Sequence, residues 1–348
     1  MALTRTMKSM AVATIATMSL ALAACSGSNA DGGDSDTDAT GSGPTDLTFA
    51  SLDQGSAWYN YAVSMGQTIE PELGEGSVVE VLTYAGSIGN PELVSTGEAD
   101  LATSFSAVTS WAVNGEEGTP FEGKQMDNIR VLVSGLDQYF FGPITTAGSG
   151  VESLRDAIEG EKGLDLVSQP RASLGDAGTQ LVLRAYGTSV EDIESWGGSF
   201  DPTSTDVATN AIRDGNADLW IQAITAGHPN ITELAETADI RILDIDDEAV
   251  AELESLGLEP ATLPGGTFRG QDDDVQLLGF TTTLIASEDM PEDVAYAITK
   301  AVVESADQLK SANASMSAFD PEAAWQTKGG VELHPGAEKY FTEAGLMD

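Results

Sequence analysis

Acid–base or metal chemistry would have to be built around His228 and His334, the two imidazoles in the sequence. Each precedes a proline in a loop-like context, and neither has a companion at the spacing of a metal site or a Ser-His-Asp triad, so both read as structural. No nucleophile elbow, phosphate loop or dinucleotide fingerprint occurs. The acidic runs Asp246-Asp247 and Asp272-Asp273-Asp274 read as solvated loops, because calcium needs several oxygen ligands at defined spacing and a contiguous triplet rarely supplies them. The expectation is a non-enzymatic protein with no cofactor and no metal. What remains is a set of side chains that can orient a small polar molecule without reacting with it: hydroxyls, amides, aromatic walls and one cation. They are Gln54, Ser56, Trp58 and Tyr59, then Tyr84 and Ser87, then Ser104 and Phe105 in the first half of the chain. In the second half they are Gln169, Arg171, Ser173 and Gln222. Ser87 and Ser173 have a blander use as helix N-caps, and any one of these aromatics is more often core than ligand wall.

These residues follow strand-like runs, and that is what places them together. Such runs are Leu47 to Leu52, Val78 to Tyr84, Ala99 to Phe105, Ile129 to Leu136, Leu164 to Ser168, Ala217 to Gln222, Ile240 to Ile245 and Val275 to Ile285. Helical patterns lie between them, the last and longest from Pro291 to about Ser311, with Pro291 in the first turn. Alternation of this kind predicts an α/β protein with mostly parallel sheets covered by helices. A short echo, Ser95 to Leu101 and Arg213 to Leu219, puts a glycine where a helix stops and an apolar strand just beyond it in each half. Two such sheets facing each other would leave a cleft lined by the loops at their carboxyl ends.

The N-terminus reads as an export signal. Arg5 and Lys8 precede an uncharged apolar run from Met10 to Ala23, which ends in Leu22-Ala23-Ala24-Cys25. That apolar run is too short to span a bilayer comfortably, so residues 1–24 read as a removable signal, and Cys25, the only cysteine, stands where a lipobox would be lipidated. Residues 25–46 are a flexible acidic Gly/Ser tether on composition. The expected location is the outer face of the cytoplasmic membrane. A formal net charge of −41 argues against a nucleic-acid partner, since such a surface repels phosphate backbones.

Several blocks, in order, resemble the TAXI solute receptors of TRAP transporters. Gly55-Ser56-Ala57-Trp58-Tyr59 is similar to that family's Gly-rich aromatic opening, and Tyr84-Ala85-Gly86-Ser87-Ile88-Gly89-Asn90 to its next block. Gly265-Gly266-Thr267-Phe268-Arg269-Gly270 and the run from His334 to Phe341 resemble its C-terminal signatures. The resemblance implies a two-lobed type II periplasmic-binding-protein fold, capture of a small organic acid by lobe closure, and delivery to a membrane-embedded TRAP permease. Glutamate and related amino or dicarboxylic acids are the ligands it implies. The lobes are expected at 47–138 plus 279–348 and at 139–278, in a monomer. Where the family has a Gly-Ser-Gly-Thr turn, this chain reads Ala172-Ser173-Leu174-Gly175. Losing those glycines weakens a backbone-amide cradle for an anion, and Arg171 stands beside it, able either to compensate by gripping a carboxylate or simply to pair with a surface acid. Alternatives are a receptor for an ATP-driven importer of sulfonate-like or aromatic ligands and, further off, a sensory ligand-binding lipoprotein.

Overall fold

The computed structural model describes residues 44–84 and 86–347. The expected export signal, Cys25 and most of the tether lie outside the described residues. The first half builds β1 (Asp46–Ser51), α1 (Ala57–Ile69), β2 (Val78–Thr83), α2 (Asn90–Thr96), β3 (Leu101–Phe105), α3 (Ser106–Asn114) and β4 (Ile129–Val133). There follow β5 (Tyr139–Thr146), α4 (Leu154–Glu159), β6 (Asp165–Ser168), α5 (Leu174–Ala185), α6 (Val190–Ser195), β7 (Ser199–Pro202), α7 (Thr205–Arg213) and β8 (Leu219–Ile224). The rest is α8 (Pro229–Thr237), β9 (Ile240–Ile242), α9 (Asp247–Leu253), β10 (Glu259–Leu263), β11 (Val275–Phe280), β12 (Thr282–Ser287), α10 (Glu292–Glu304), α11 (Ala306–Ala312) and α12 (Pro335–Glu343).

Two sheets result. The first has the order β2-β1-β3-β12-β4, with β2, β1 and β3 parallel and β12 antiparallel to both β3 and β4. The second has the order β10-β11-β5-β8-β6-β7, with β9 paired to β5; β8, β6 and β7 are parallel, and β5 runs against β8 and β11. Both sheets are therefore mixed rather than simply parallel. All five residues of β3 are buried, as a central strand covered on both faces requires. Along α1, Trp58, Tyr61, Ala62, Met65 and Ile69 form the buried stripe, a spacing of three to four that keeps one face on the sheet.

The expected run Val275 to Ile285 is two strands in two sheets. Phe280 still pairs with Tyr139 in the second sheet, while Thr282 already pairs with Phe105 in the first, so the chain changes sheet at Thr281. It makes the opposite change between β4 and β5, through Ser134 to Gln138. The expected last helix is likewise two, α10 and α11, meeting at Ser305, and Pro291 is the N-cap of α10 rather than its first turn. The glycine echo is real in three dimensions. Gly97 after α2 and Gly215 after α7 both take left-handed φ, 74° and 71°, which a side chain would resist. The aspartate just before each following strand does the same work twice: Asp100 accepts from the Thr48 backbone N–H at 2.7 Å and Asp218 from that of Asp165 at 3.0 Å, fixing each new strand to its parallel neighbour.

Candidate functional site

At the carboxyl ends of β2, β3, β6 and β8, facing loops from both sheets enclose a cavity of about 510 Å³, within the range of small-molecule sites. Six expected residues line it: Ser87 and Phe105 from the first sheet's side, and Gln169, Arg171, Ser173 and Gln222 from the second's. Ser173 also caps α5, its Oγ accepting from the Asp176 N–H at 3.2 Å. Gly175 lets Gln169 lie close against α5, since a Cβ there would meet Gln169 Oε1 at 2.7 Å.

Six other expected residues do not line the cavity. Ser56 caps α1 through its Oγ, accepting from the Tyr59 N–H at 3.1 Å. Trp58 is core, 1% exposed, its indole N–H donating to Thr282 Oγ1 at 2.9 Å. Ser104 is fully buried and accepts from the Thr109 hydroxyl. Gln54 stands exposed on the loop after β1, and Tyr59 and Tyr84 are half-buried beside it rather than on the cavity wall. Their placement has one cause: position after a strand fixes the neighbourhood of a side chain but not which way it turns, and a capping hydroxyl or a core indole is satisfied inside.

Sequence reasoning missed Tyr139, Thr205, His228 and Asn230, which complete the polar and aromatic part of the wall, and Ile88, Ala172, Leu174 and Ala223, which fill its aliphatic part. Tyr139 opens a strand that Gly142 and Pro143 disguise. Thr205 is the first residue of α7 and His228 the N-cap of α8, with Pro229 at its first position. The His-Pro step was the usable signal. Three helices, α5, α7 and α8, thus begin with residues that line the cavity, which puts the positive ends of their dipoles at its wall. Among the described residues, Arg171 is the one lining residue with a permanent positive charge. Its side chain is 61% exposed, lies 4.7 Å over the Phe200 ring and approaches Asp176 with Nη1 at 3.6 Å from Oδ1. Burial holds the His228 imidazole below its ordinary proton affinity, so the ring is neutral near pH 7.

The altered turn has a definite geometry. Ala172 sits at φ 62°, a left-handed conformation that glycine takes freely and alanine resists. Its N–H donates to Asp176 Oδ2 at 2.9 Å, so this amide is already engaged by a buried carboxylate of the chain itself. One amide of the altered turn is thus taken up inside the chain.

The cavity floor joins the two sheets through rings. Phe105 lies 4.5 Å from Trp58, 4.8 Å from Tyr139 and 5.0 Å from Phe280, centroid to centroid. Behind it, Asp137 ties one sheet crossing to the other. Its carboxylate accepts from the Thr282 N–H at 2.7 Å, the Thr282 hydroxyl at 2.8 Å and the Tyr61 hydroxyl at 3.1 Å. Burial pushes the Asp137 carboxyl up to about 6, against the pull of those three donors. Two larger hollows, about 920 and 590 Å³, lie elsewhere. The larger is crossed by Arg130, already paired with Glu288 and Glu332.

Solved structures share this architecture. A protein from Xanthomonas citri bound to ATP is 12% identical with a TM-score of 0.52, over 87% of this chain and 97% of that one. MatC from Rhodopseudomonas palustris, with bound malate, is 15% identical with a TM-score of 0.50, over 87% and 99%. A TctC solute binding protein from Polaromonas is 11% identical with a TM-score of 0.50, over 77% and 86%. The likeness is one of fold, the two-lobed α/β fold of periplasmic binding proteins with the cleft between the lobes. Residues 49–345 match the NMT1-like family, and the chain belongs to that family.

Proposed function

We propose that this protein is an extracytoplasmic solute receptor, not an enzyme, which binds a small organic acid by closure of its lobes and delivers it to a TRAP-type permease. The observation that carries the reading is the convergence of three helix N-termini and one guanidinium on a single cavity in a chain of net charge −41. A globally negative protein attracts an anion only where local donors outweigh its field, and this is where they gather. The amides of Gln169 and Gln222 and the hydroxyls of Ser87 and Ser173 supply orientation, and Phe105 supplies an apolar wall. The lobes divide at the sheet crossings, 47–133 plus 282–347 against 139–280, with Ser134 to Gln138 and Thr281 as the hinge, close to the expected 47–138 plus 279–348 and 139–278. Amino and dicarboxylic acids, glutamate foremost, are the first ligands to try, and the TRAP permease is the partner that the sequence resemblance favours. Lipidation at Cys25 would hold the receptor at the membrane surface.

The test is a thermal-shift screen of the protein, refolded to strip any carried solute, against amino acids, dicarboxylates, keto acids and sulfonates. A ligand at a hundredfold excess over its dissociation constant adds about 2.7 kcal/mol of stability. Selective stabilisation by a carboxylic acid is expected. Stabilisation by sulfonates alone, or by nothing in the set, would overturn the organic-acid reading.

A further inference from the structure

The cavity wall has two chemically different sides, and β8 is where they part. Successive residues of a strand face opposite sides of its sheet. Leu219 and Ile221 belong to the core on one side of β8, and Trp220 and Ile224 to the core on the other. By that alternation Gln222 shares the side of Trp220, whereas Ala223 packs against the first core. On the Gln222 side the cavity is lined by Thr205, His228 and Asn230, from the starts of α7 and α8, helices whose Ala208, Ile212, Ile231 and Leu234 are part of the second core. On the Ala223 side it is lined by Ile88, Phe105, Tyr139 and Leu174, and each of these belongs to the first core or packs against it. Phe105 is held there by the rings of Trp58, Tyr139 and Phe280, so this apolar floor is in place before any solute arrives.

We propose that the solute is an acid with one carboxylate and an apolar body, aliphatic or aromatic, rather than a diacid. The inference rests on the organic-acid reading and narrows it: Arg171 and the helix starts hold the carboxylate, and the body lies against Ile88, Phe105, Tyr139 and Leu174. It moves such acids ahead of glutamate, the ligand that the sequence resemblance puts first. The distribution of charge decides between them. A second carboxylate has to leave water, which is costly unless a cation or a set of donors receives it. Among the described residues one cation lines the cavity, Arg171, and its side chain is 61% exposed. On the polar side Asn230 Nδ2 already donates to the Asp206 carboxylate at 3.2 Å, which sets a negative charge where a further anion would have to lie. On the other side an ionised group would meet the carbon of Ile88, Phe105 and Leu174, whereas a branched alkyl group or a ring gains by leaving water there.

The experiment is titration calorimetry of the full chain, stripped by refolding, with two matched pairs of probes: L-homoleucine against L-glutamate, and 5-methylhexanoate against glutarate. In each pair an isopropyl group stands where the diacid has its second carboxylate, so size is held and charge is changed. Wild-type protein is expected to bind the isopropyl member of at least one pair about tenfold or more tightly than the diacid. In Ile88→Asn, a change in the turn before α2, that gap should shrink to about threefold or less through weaker binding of the isopropyl member. If the asparagine variant does not fold, Ile88→Ala replaces it, with the gap expected to narrow in the same direction. Equal or tighter binding of the diacid in both pairs, or a gap that survives unchanged in a folded variant, would overturn the inference while leaving the receptor reading intact. Binding of none of the four acids would remove both.

Discussion

Asp137 is the residue whose environment departs furthest from its solution chemistry. Its carboxyl is 2% exposed, faces Tyr61 and Tyr139, and has no cation among its partners, only the donors on Thr282 and Tyr61. A carboxyl raised from 3.8 to about 6 binds a proton more readily in the folded state than in the unfolded one. Stability from this group is therefore fully present below the unfolded value and is lost as pH rises through the folded one. Between about pH 4 and pH 7 the loss should be on the order of 2–3 kcal/mol, and Asp137→Asn should remove that part of the slope. Urea denaturation of both proteins across this window measures the difference. Parallel pH profiles for the two would show that Asp137 stays ionised, stabilised by its three donors. Nothing in the sequence announced this residue, because one aspartate among 56 acidic residues is marked only by the crossing it ends up in. Arg171 could be singled out, since it stands beside a turn whose altered residues have a backbone meaning.

At the scale of elements, periodicity found the strands that begin or end cleanly and missed those that break its rules. β5 contains Gly142 and Pro143, which a sequence reading takes as breakers, yet it lies between β11 and β8 in the second sheet. The glycine is there for room: a Cβ would come within 2.9 Å of Ile224 Cδ1. β7 and β10 are short and half-exposed, so they carry no apolar signature. The run from β11 to β12 is apolar throughout, and only tertiary pairing reveals that Thr281 divides it. The same logic of room governs α5, whose Gly178 lies against the Phe141 ring, where a Cβ would clash with the ring edge. Gly178→Ala should lower stability by about 1–3 kcal/mol through overpacking, despite alanine's better helix propensity. Chemical denaturation measures it. An unchanged or raised midpoint would mean that α5 can lift off β5 without cost, and the second sheet's wall of the cavity would be less rigid than its contacts imply.

For the whole molecule, the sequence carried the two-lobed α/β fold and half of the expected cavity wall. It could not carry the orientation of Trp58 or Ser104, because those are settled by neighbours distant in the chain. The sheet crossings, the aromatic floor and the three helix starts meet at the cavity proposed as the anion site. Among the described residues, Arg171 is the only permanent charge on that wall. The most direct test is calorimetry of the acid that best stabilises the protein, titrated into wild type and Arg171→Ala. The account predicts that affinity falls by about 2–4 kcal/mol when the guanidinium is removed. Unchanged affinity would contradict it, returning Arg171 to a surface pairing with Asp176 and the anion to some other part of the molecule.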